Sequence, residues 1–132
     1  MSASDSLGEQ LKMFMTASEI MEHVNSSSDL KSGEDMPDMW SRKAKESKRE
    51  HSGEHGSGVY DALSSGNDII HGPTGDGKVI INYITRFDGT EHRQLDDMHH
   101  RVAAMAELDK HNDTQTYLNV NHIGYPFRGR RF

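Results

Sequence analysis

The amino-acid sequence contains no cysteine. Disulfide bonds, thiolate nucleophiles and cysteine-ligated zinc sites are therefore excluded. The sequence also lacks any apolar run close to the roughly 20 residues that a membrane-spanning helix needs. Residues 1–10 are polar and do not form the apolar segment of a secretion signal. From these absences we expect no membrane association.

Hydrophobic residues are scarce, at 33% of the 132 residues. This length predicts one domain with a modest core. The formal net charge is -6, so a generally basic surface for nucleic acid is missing, and such binding would need a local basic patch. We expect a flexible N-terminus over residues 1–10, a domain over 11–123, and a basic, aromatic tail over 124–132.

Hydrophobic periodicity and turn signals predict an α+β fold, in which helices pack on a small mixed sheet. A Thr16–Glu19 capping box begins the first helix, and Asp88-Gly89 marks a hairpin turn. In the first half of the chain, the expected elements are an edge strand at 11–15, a helix from Thr16 to Val24, a helix at 38–49, a flexible linker at 51–58 and a short helix at 59–65 ended by Gly66. In the second half, they are a brief strand or turn at 69–70, a glycine-rich turn at 72–77, strands at 78–84 and 92–95, a helix at 98–109 and a last strand at 115–123.

The helix predicted over 38–49 has one aromatic anchor, Trp40, and a run of basic residues. These bases are Arg42, Lys43, Lys45, Lys48 and Arg49. One interpretation is a helix whose charges face water, as charge runs usually do. The other is a helix that contacts phosphate groups.

The chemically richest segment is the strand–turn–helix around residues 92–101. His99, His100 and Arg101 occupy the expected first turn of a helix, and Asp97 is expected to cap it. Helix N-terminal N–H groups attract anions, and an arginine beside them adds a bidentate phosphate binder. The segment therefore suits a bound phosphate. The alternative is a capped helix whose histidines and arginine face solvent.

Residues 95–104, Leu-Asp-Asp-Met-His-His-Arg-Val-Ala-Ala, resemble the ParB/sulfiredoxin-like superfamily, and most closely the small ParB-like nuclease-domain proteins of bacteriophages. That group shows Asp-Gly-His-His-Arg before a helix of small residues. The resemblance implies a fold whose corresponding turn binds nucleotide phosphates in some members and DNA in others. It places Asp97, His99, His100 and Arg101 at the phosphate.

The chain departs from the family pattern at Met98, which stands where the family has glycine. Glycine permits unusual backbone angles and close approach to a phosphate, so we expect the methionine side chain to obstruct a ligand. The chain also lacks the helical DNA-reading domain of chromosome-partitioning ParB proteins. Without cysteine, sulfiredoxin-type catalysis is excluded. A retained fold with a lost or altered activity is therefore one interpretation.

Three functions remain open from the sequence. The first is a phage-encoded module in the host cytoplasm that binds nucleic acid or a nucleoside triphosphate through the His-His-Arg turn. The second is a virion component or a binder of a host protein, which the aromatic and basic tail would contact. Its candidate contact residues are Tyr125, Phe127, Arg128, Arg130 and Arg131.

The third function is a metal-dependent phosphodiesterase or nuclease, with Mg²⁺ as a candidate cofactor. Its candidate ligands would be Asp96, Asp97, His99 and His100, supplemented by His92 and His122. This function needs these side chains to converge on one point, which a sequence alone does not establish.

Overall fold

Four helices and four strands make up the regular structure of the residues that are described. The computed structural model describes residues 11–50, 54, 56–66 and 78–124. The elements are β1 (Phe14–Thr16), α1 (Ala17–His23), α2 (Met36–Ser47), α3 (Val59–Ser64), β2 (Val79–Thr85), β3 (Glu91–Leu95), α4 (His99–Asn112) and β4 (Tyr117–Ile123).

The strands form one sheet in the order β1-β4-β2-β3. β4 is antiparallel to β1 and parallel to β2, while β2 and β3 form an antiparallel hairpin. The small mixed sheet of an α+β fold is therefore confirmed. Parallel strands need a long crossover, and α4 lies in the connection between the β2–β3 hairpin and β4.

The predicted capping box links β1 directly to α1. The Thr16 hydroxyl accepts a hydrogen bond from the Glu19 backbone N–H at 3.2 Å, and the Glu19 carboxylate accepts one from the Thr16 N–H at 2.9 Å. Each side chain thus satisfies a backbone group that a helix end leaves without a partner. The strand ends and the helix begins at this residue.

The second helix begins earlier than its composition predicted, at Met36 rather than Asp38. Asp35 caps it, accepting a hydrogen bond from the Asp38 N–H at 2.8 Å. Pro37 lies in the first turn, where a missing N–H costs nothing. Pro37 therefore belongs to this helix, although the predicted helix began one residue after it.

The core lies between one face of the sheet and three helices. Its cluster joins Ile20 of α1, Met39 of α2 and Val102 of α4 to the inward side chains of β2 and β4. Trp40 is buried in the same cluster and so forms the predicted aromatic anchor.

The predictions for the middle of the chain hold only in part. Residues 56–58 form a turn in which Ser57 is buried and the Gly58 N–H bonds to the Arg49 carbonyl at 2.9 Å. This part of the expected linker is therefore ordered. The predicted short helix forms as α3, but it has no fully buried residue, and Val59 and Leu63 are only partly buried.

Some predictions fall outside the described residues. These are the N-terminal segment 1–10, the linker positions 51–53 and 55, the strand or turn at 69–70, the glycine-rich turn at 72–77 and the tail at 125–132. Within the described ranges, no helix is long and apolar enough to cross a membrane.

Candidate functional site

The predicted phosphate turn begins with an unusual backbone conformation at Met98. This residue has φ 73° and ψ 25°, in the left-handed region that favours glycine. Its side chain is only 6% exposed. Met98 therefore has the backbone conformation expected of the glycine that the ParB-like pattern has at this position. Its side chain is buried, contrary to the expectation that it would obstruct a ligand.

Asp97 does not cap α4, which corrects the sequence prediction. Met98 is the residue that precedes the helix, and no described side chain makes the capping hydrogen bond. The Asp97 carboxylate instead accepts a hydrogen bond from the Met98 N–H at 2.7 Å. The left-handed turn at Met98 separates Asp97 from the helix, and the aspartate side chain stays exposed.

His99 points into the protein, where it contacts three residues from distant parts of the chain. Its Nε2 lies 3.1 Å from the Ser27 hydroxyl, its Nδ1 lies 3.6 Å from an Asp29 carboxylate oxygen, and its ring lies 5.5 Å from the Trp40 ring. Burial lowers the pKa of His99 to about 4, although the nearby charge of Asp29 acts in the opposite direction. The imidazole is therefore neutral at neutral pH.

Asp29 also binds a buried base of α2. The Lys43 ammonium lies 2.8 Å from the Asp29 carboxylate, and Lys43 is only 5% exposed. A buried ammonium needs such a partner, because removing a charge from water is costly. The expectation that the basic run simply faces water is therefore wrong for Lys43.

Acidic residues also accompany Arg42 in α2 and the two bases that follow the helix, Lys48 and Arg49. Arg42 binds Glu34 at 2.9 Å and lies 3.5 Å from Glu46, and Lys48 binds Glu107 at 2.7 Å. Arg49 lies 3.3 Å from Glu54. These ion pairs reduce the positive charge that α2 could present to a phosphate backbone.

His100 is held by a carboxylate and a glycine. Its Nε2 lies 2.7 Å from a carboxylate oxygen of Glu46. Burial raises the pKa of Glu46, but the hydrogen bond from His100 and the charge of Arg42 outweigh burial and hold that pKa below its usual value. A Cβ added to Gly56 would lie 2.4 Å from the His100 ring, so this close approach requires glycine.

His99 and His100 thus each contact an acidic residue that was not predicted from the sequence. Asp29 and Glu46 are separated from their histidine partners by 70 and 54 residues of chain, and no motif joins them. Arg101 follows in the same turn and is partly buried. His99 and His100 are buried, so the alternative hypothesis, in which both histidines face solvent, is wrong.

The predicted metal-ligand set does not converge. Asp96 and Asp97 are exposed, His92 contacts Thr90, and His122 contacts Tyr83 on another part of the sheet. In the described part of the chain, no group of three or more His, Cys, Asp or Glu residues is placed to share a metal ion.

A second histidine cluster lies where α1 ends beside β2 and β4. The Tyr83 hydroxyl is 2.6 Å from Nε2 of His23 and 2.8 Å from Nδ1 of His122. The other nitrogen of His122 donates to the Lys12 carbonyl at 2.9 Å. Burial, with a smaller effect of the Arg93 charge, lowers the pKa of His23 to about 4.

An open groove of about 940 Å³ runs between α1, α2 and α4. The partly exposed Met21, Met36 and Ala106 contribute apolar surface to it, and Lys48 and Glu107 also line it. Comparison of the chain with protein-family models, curated proteins and solved structures finds no match. The function must therefore be inferred from the geometry of the molecule.

Proposed function

We propose that this protein is a ParB-like module of bacteriophage type that binds a phosphate group of nucleic acid or of a nucleotide at the start of α4. The observation that carries this proposal is the left-handed backbone of Met98. A residue other than glycine pays roughly 1–2 kcal/mol for this conformation. Such strain persists where the surrounding structure imposes it, and it is concentrated at functional turns.

The strained turn leaves the start of α4 without a side-chain cap among the described residues. The first N–H groups of a helix need partners, and together with the helix dipole they favour an anion. Arg101 lies in the same turn and has a guanidinium group suited to a phosphate. These features support phosphate binding by backbone N–H groups and by Arg101.

The two histidines have a different role in this proposal. His99 lies beside Asp29, and His100 bonds to Glu46. Carboxylates beside an imidazole make it a poor direct partner for an anion, since like charges repel. His99 and His100 therefore fix the turn by bonding to the interior, while Arg101 faces the ligand. We assign binding to this turn and no catalysis.

The test is binding of the purified protein to labelled duplex DNA, and to a nucleoside triphosphate with Mg²⁺, at low salt. Arg101→Ala is compared with Arg86→Ala, which removes the same charge from an exposed hairpin position. We expect Arg101→Ala to weaken binding about tenfold or more, the usual value of a charged hydrogen bond. Arg86→Ala should bind as the unmodified protein does. Added salt should weaken DNA binding steeply.

Absence of binding to both ligands, with a folded protein, would overturn the proposal, as would equal losses in the two arginine variants. Binding of a partner protein would then be the better-supported function. The apolar groove between α1, α2 and α4 favours that role, because exposed apolar surfaces commonly mark interaction sites.

A further inference from the structure

Three rings from three separate elements surround one point at an end of the sheet. They belong to His23, the last residue of α1, to Tyr83 of β2 and to His122 of β4. The ring centroids are 5.8 Å apart for His23 and Tyr83, 5.7 Å for Tyr83 and His122, and 6.3 Å for the two histidines. These three side chains form a nearly equilateral triangle whose polar atoms meet at the phenol oxygen.

The hydrogen bonds determine which nitrogen of His122 carries a proton. The Lys12 carbonyl can only accept a hydrogen bond, so Nε2 of His122, 2.9 Å away, must donate to it. In the neutral ring Nδ1 then has a lone pair, and this atom lies 2.8 Å from the Tyr83 oxygen. A ring N–H bound to a backbone carbonyl is the usual support of a metal-ligating histidine.

We propose that His23, Tyr83 and His122 form a binding site for a divalent first-row transition-metal ion of the zinc or copper class. Nε2 of His23, Nδ1 of His122 and the Tyr83 phenolate oxygen would be the protein ligands, and water would take the fourth position, as in three-ligand zinc sites. On binding, the phenol proton is released to solvent, and the proton that Nε2 of His23 donates to the phenol oxygen at 2.6 Å moves through solvent to Nδ1 of the same ring. The bound cluster then carries one positive charge.

The ligand atoms need only a small movement to receive the ion. Tetrahedral bonds of about 2.0–2.1 Å place neighbouring ligand atoms about 3.3 Å apart. The observed separations from the phenol oxygen are 2.6 and 2.8 Å. An outward shift of about half an ångström by partly exposed histidines is therefore enough.

The guanidinium of a nearby arginine has two opposite effects on metal binding at this site. Arg93 donates its Nε–H to the His23 backbone carbonyl at 2.5 Å, which places a guanidinium beside the site. It repels a metal ion but also stabilises a phenolate. We therefore expect weaker binding than at a site of three histidines without a neighbouring base.

The test uses the full chain, first treated with a chelator and then titrated with Zn²⁺ by calorimetry and with Cu²⁺ by visible absorption. Tyr83→Phe removes only the phenol oxygen, and His122→Ala removes a whole ligand. His111→Ala is the matched control, because His111 is exposed near the end of α4. Circular dichroism checks that each variant is folded.

We expect binding of one Zn²⁺ per chain, weakened at least tenfold in Tyr83→Phe and in His122→Ala and unchanged in His111→Ala. Cu²⁺ should give a phenolate-to-metal absorption band that Tyr83→Phe abolishes. No Zn²⁺ binding, or equal binding by the unmodified protein and both ligand variants, would overturn the proposal. The three side chains would then be a hydrogen-bond chain only. If His122→Ala does not fold, Tyr83→Phe decides the outcome.

Discussion

Two pairs of histidines are held in this protein by chemically different partners. His99 and His100 lie against the carboxylates of Asp29 and Glu46. His23 and His122 instead share the phenol of Tyr83. The first pair belongs to one helix turn, whereas the second is assembled from α1 and β4.

Burial and neighbouring charge have separate effects on the pKa values of these histidines. The pKa of His99 and that of His23 are both lowered to about 4, mainly by burial. Only His99 has a carboxylate beside it, and that charge does not restore its pKa. Removal from water therefore decides the protonation of both rings, while the partner decides which atoms each ring presents.

The largest expected effect comes from breaking the first cluster at Gly56. A Cβ there would lie 2.4 Å from the His100 ring, and φ is +86°. We expect Gly56→Ala to lower the free energy of unfolding by about 4 kcal/mol, from steric overlap and left-handed strain together. Gly66→Ala is the control, since its φ is +82° but nothing lies within 4 Å. It should lose about 1 kcal/mol. Equal losses in urea unfolding would show that His100 does not pack as described.

The second largest effect is expected at low pH, where protonation of His99 should destabilise the folded protein. Its pKa is about 4 when folded and 6.5 when unfolded, so the unfolded chain binds more protons between these values. The stabilising contribution is complete above pH 6.5 and is lost as the pH falls to 4. The loss is about 3 kcal/mol.

The measurement is the unfolding free energy across this pH range for the unmodified protein, His99→Asn and His111→Asn. His99→Asn should show a smaller decrease on acidification, while His111→Asn, changed at an exposed position, should keep the full decrease. Identical pH profiles for the unmodified protein and His99→Asn would contradict the buried neutral state.

A smaller loss of stability is expected when the phenol oxygen is removed from the cluster of His23, Tyr83 and His122. Tyr83 is 5% exposed and bonds to both histidines. With a chelator present, Tyr83→Phe should lower the free energy of unfolding by about 2 kcal/mol, because two partly buried imidazoles lose a hydrogen bond. Tyr117→Phe, on an exposed side chain, should change it little. A Tyr83→Phe protein of unchanged stability would mean that solvent replaces both bonds.

The smallest expected effect distinguishes backbone strain from side-chain packing at Met98. Met98→Gly and Met98→Ala both delete the buried side chain, but only glycine relieves the left-handed backbone. Met98→Gly should therefore be more stable than Met98→Ala by about 1 kcal/mol. Ala104→Gly in the helix interior should show the opposite preference, since glycine weakens a helix. Thermal unfolding of the three variants is sufficient, and a more stable Met98→Ala would contradict the left-handed turn.

Local signals in the sequence predicted much of the fold. The Thr16–Glu19 capping box, the Asp88-Gly89 hairpin and the stop at Gly66 all form as expected. Each depends on neighbours within a few residues, so the sequence window contains its physical cause. The expected cap at Asp97 failed because the strained turn at Met98, imposed by its surroundings, intervenes.

By itself, the sequence determined the α+β class, the approximate positions of the helices and strands, and the presence of His99, His100 and Arg101 in one helix turn, since periodicity and turn chemistry are short-range. Only the tertiary structure decided that the histidines face inward, that Lys43 is buried against Asp29, and that His23 and His122 meet at Tyr83. These contacts join residues far apart in the chain, and packing and desolvation select them without any local pattern.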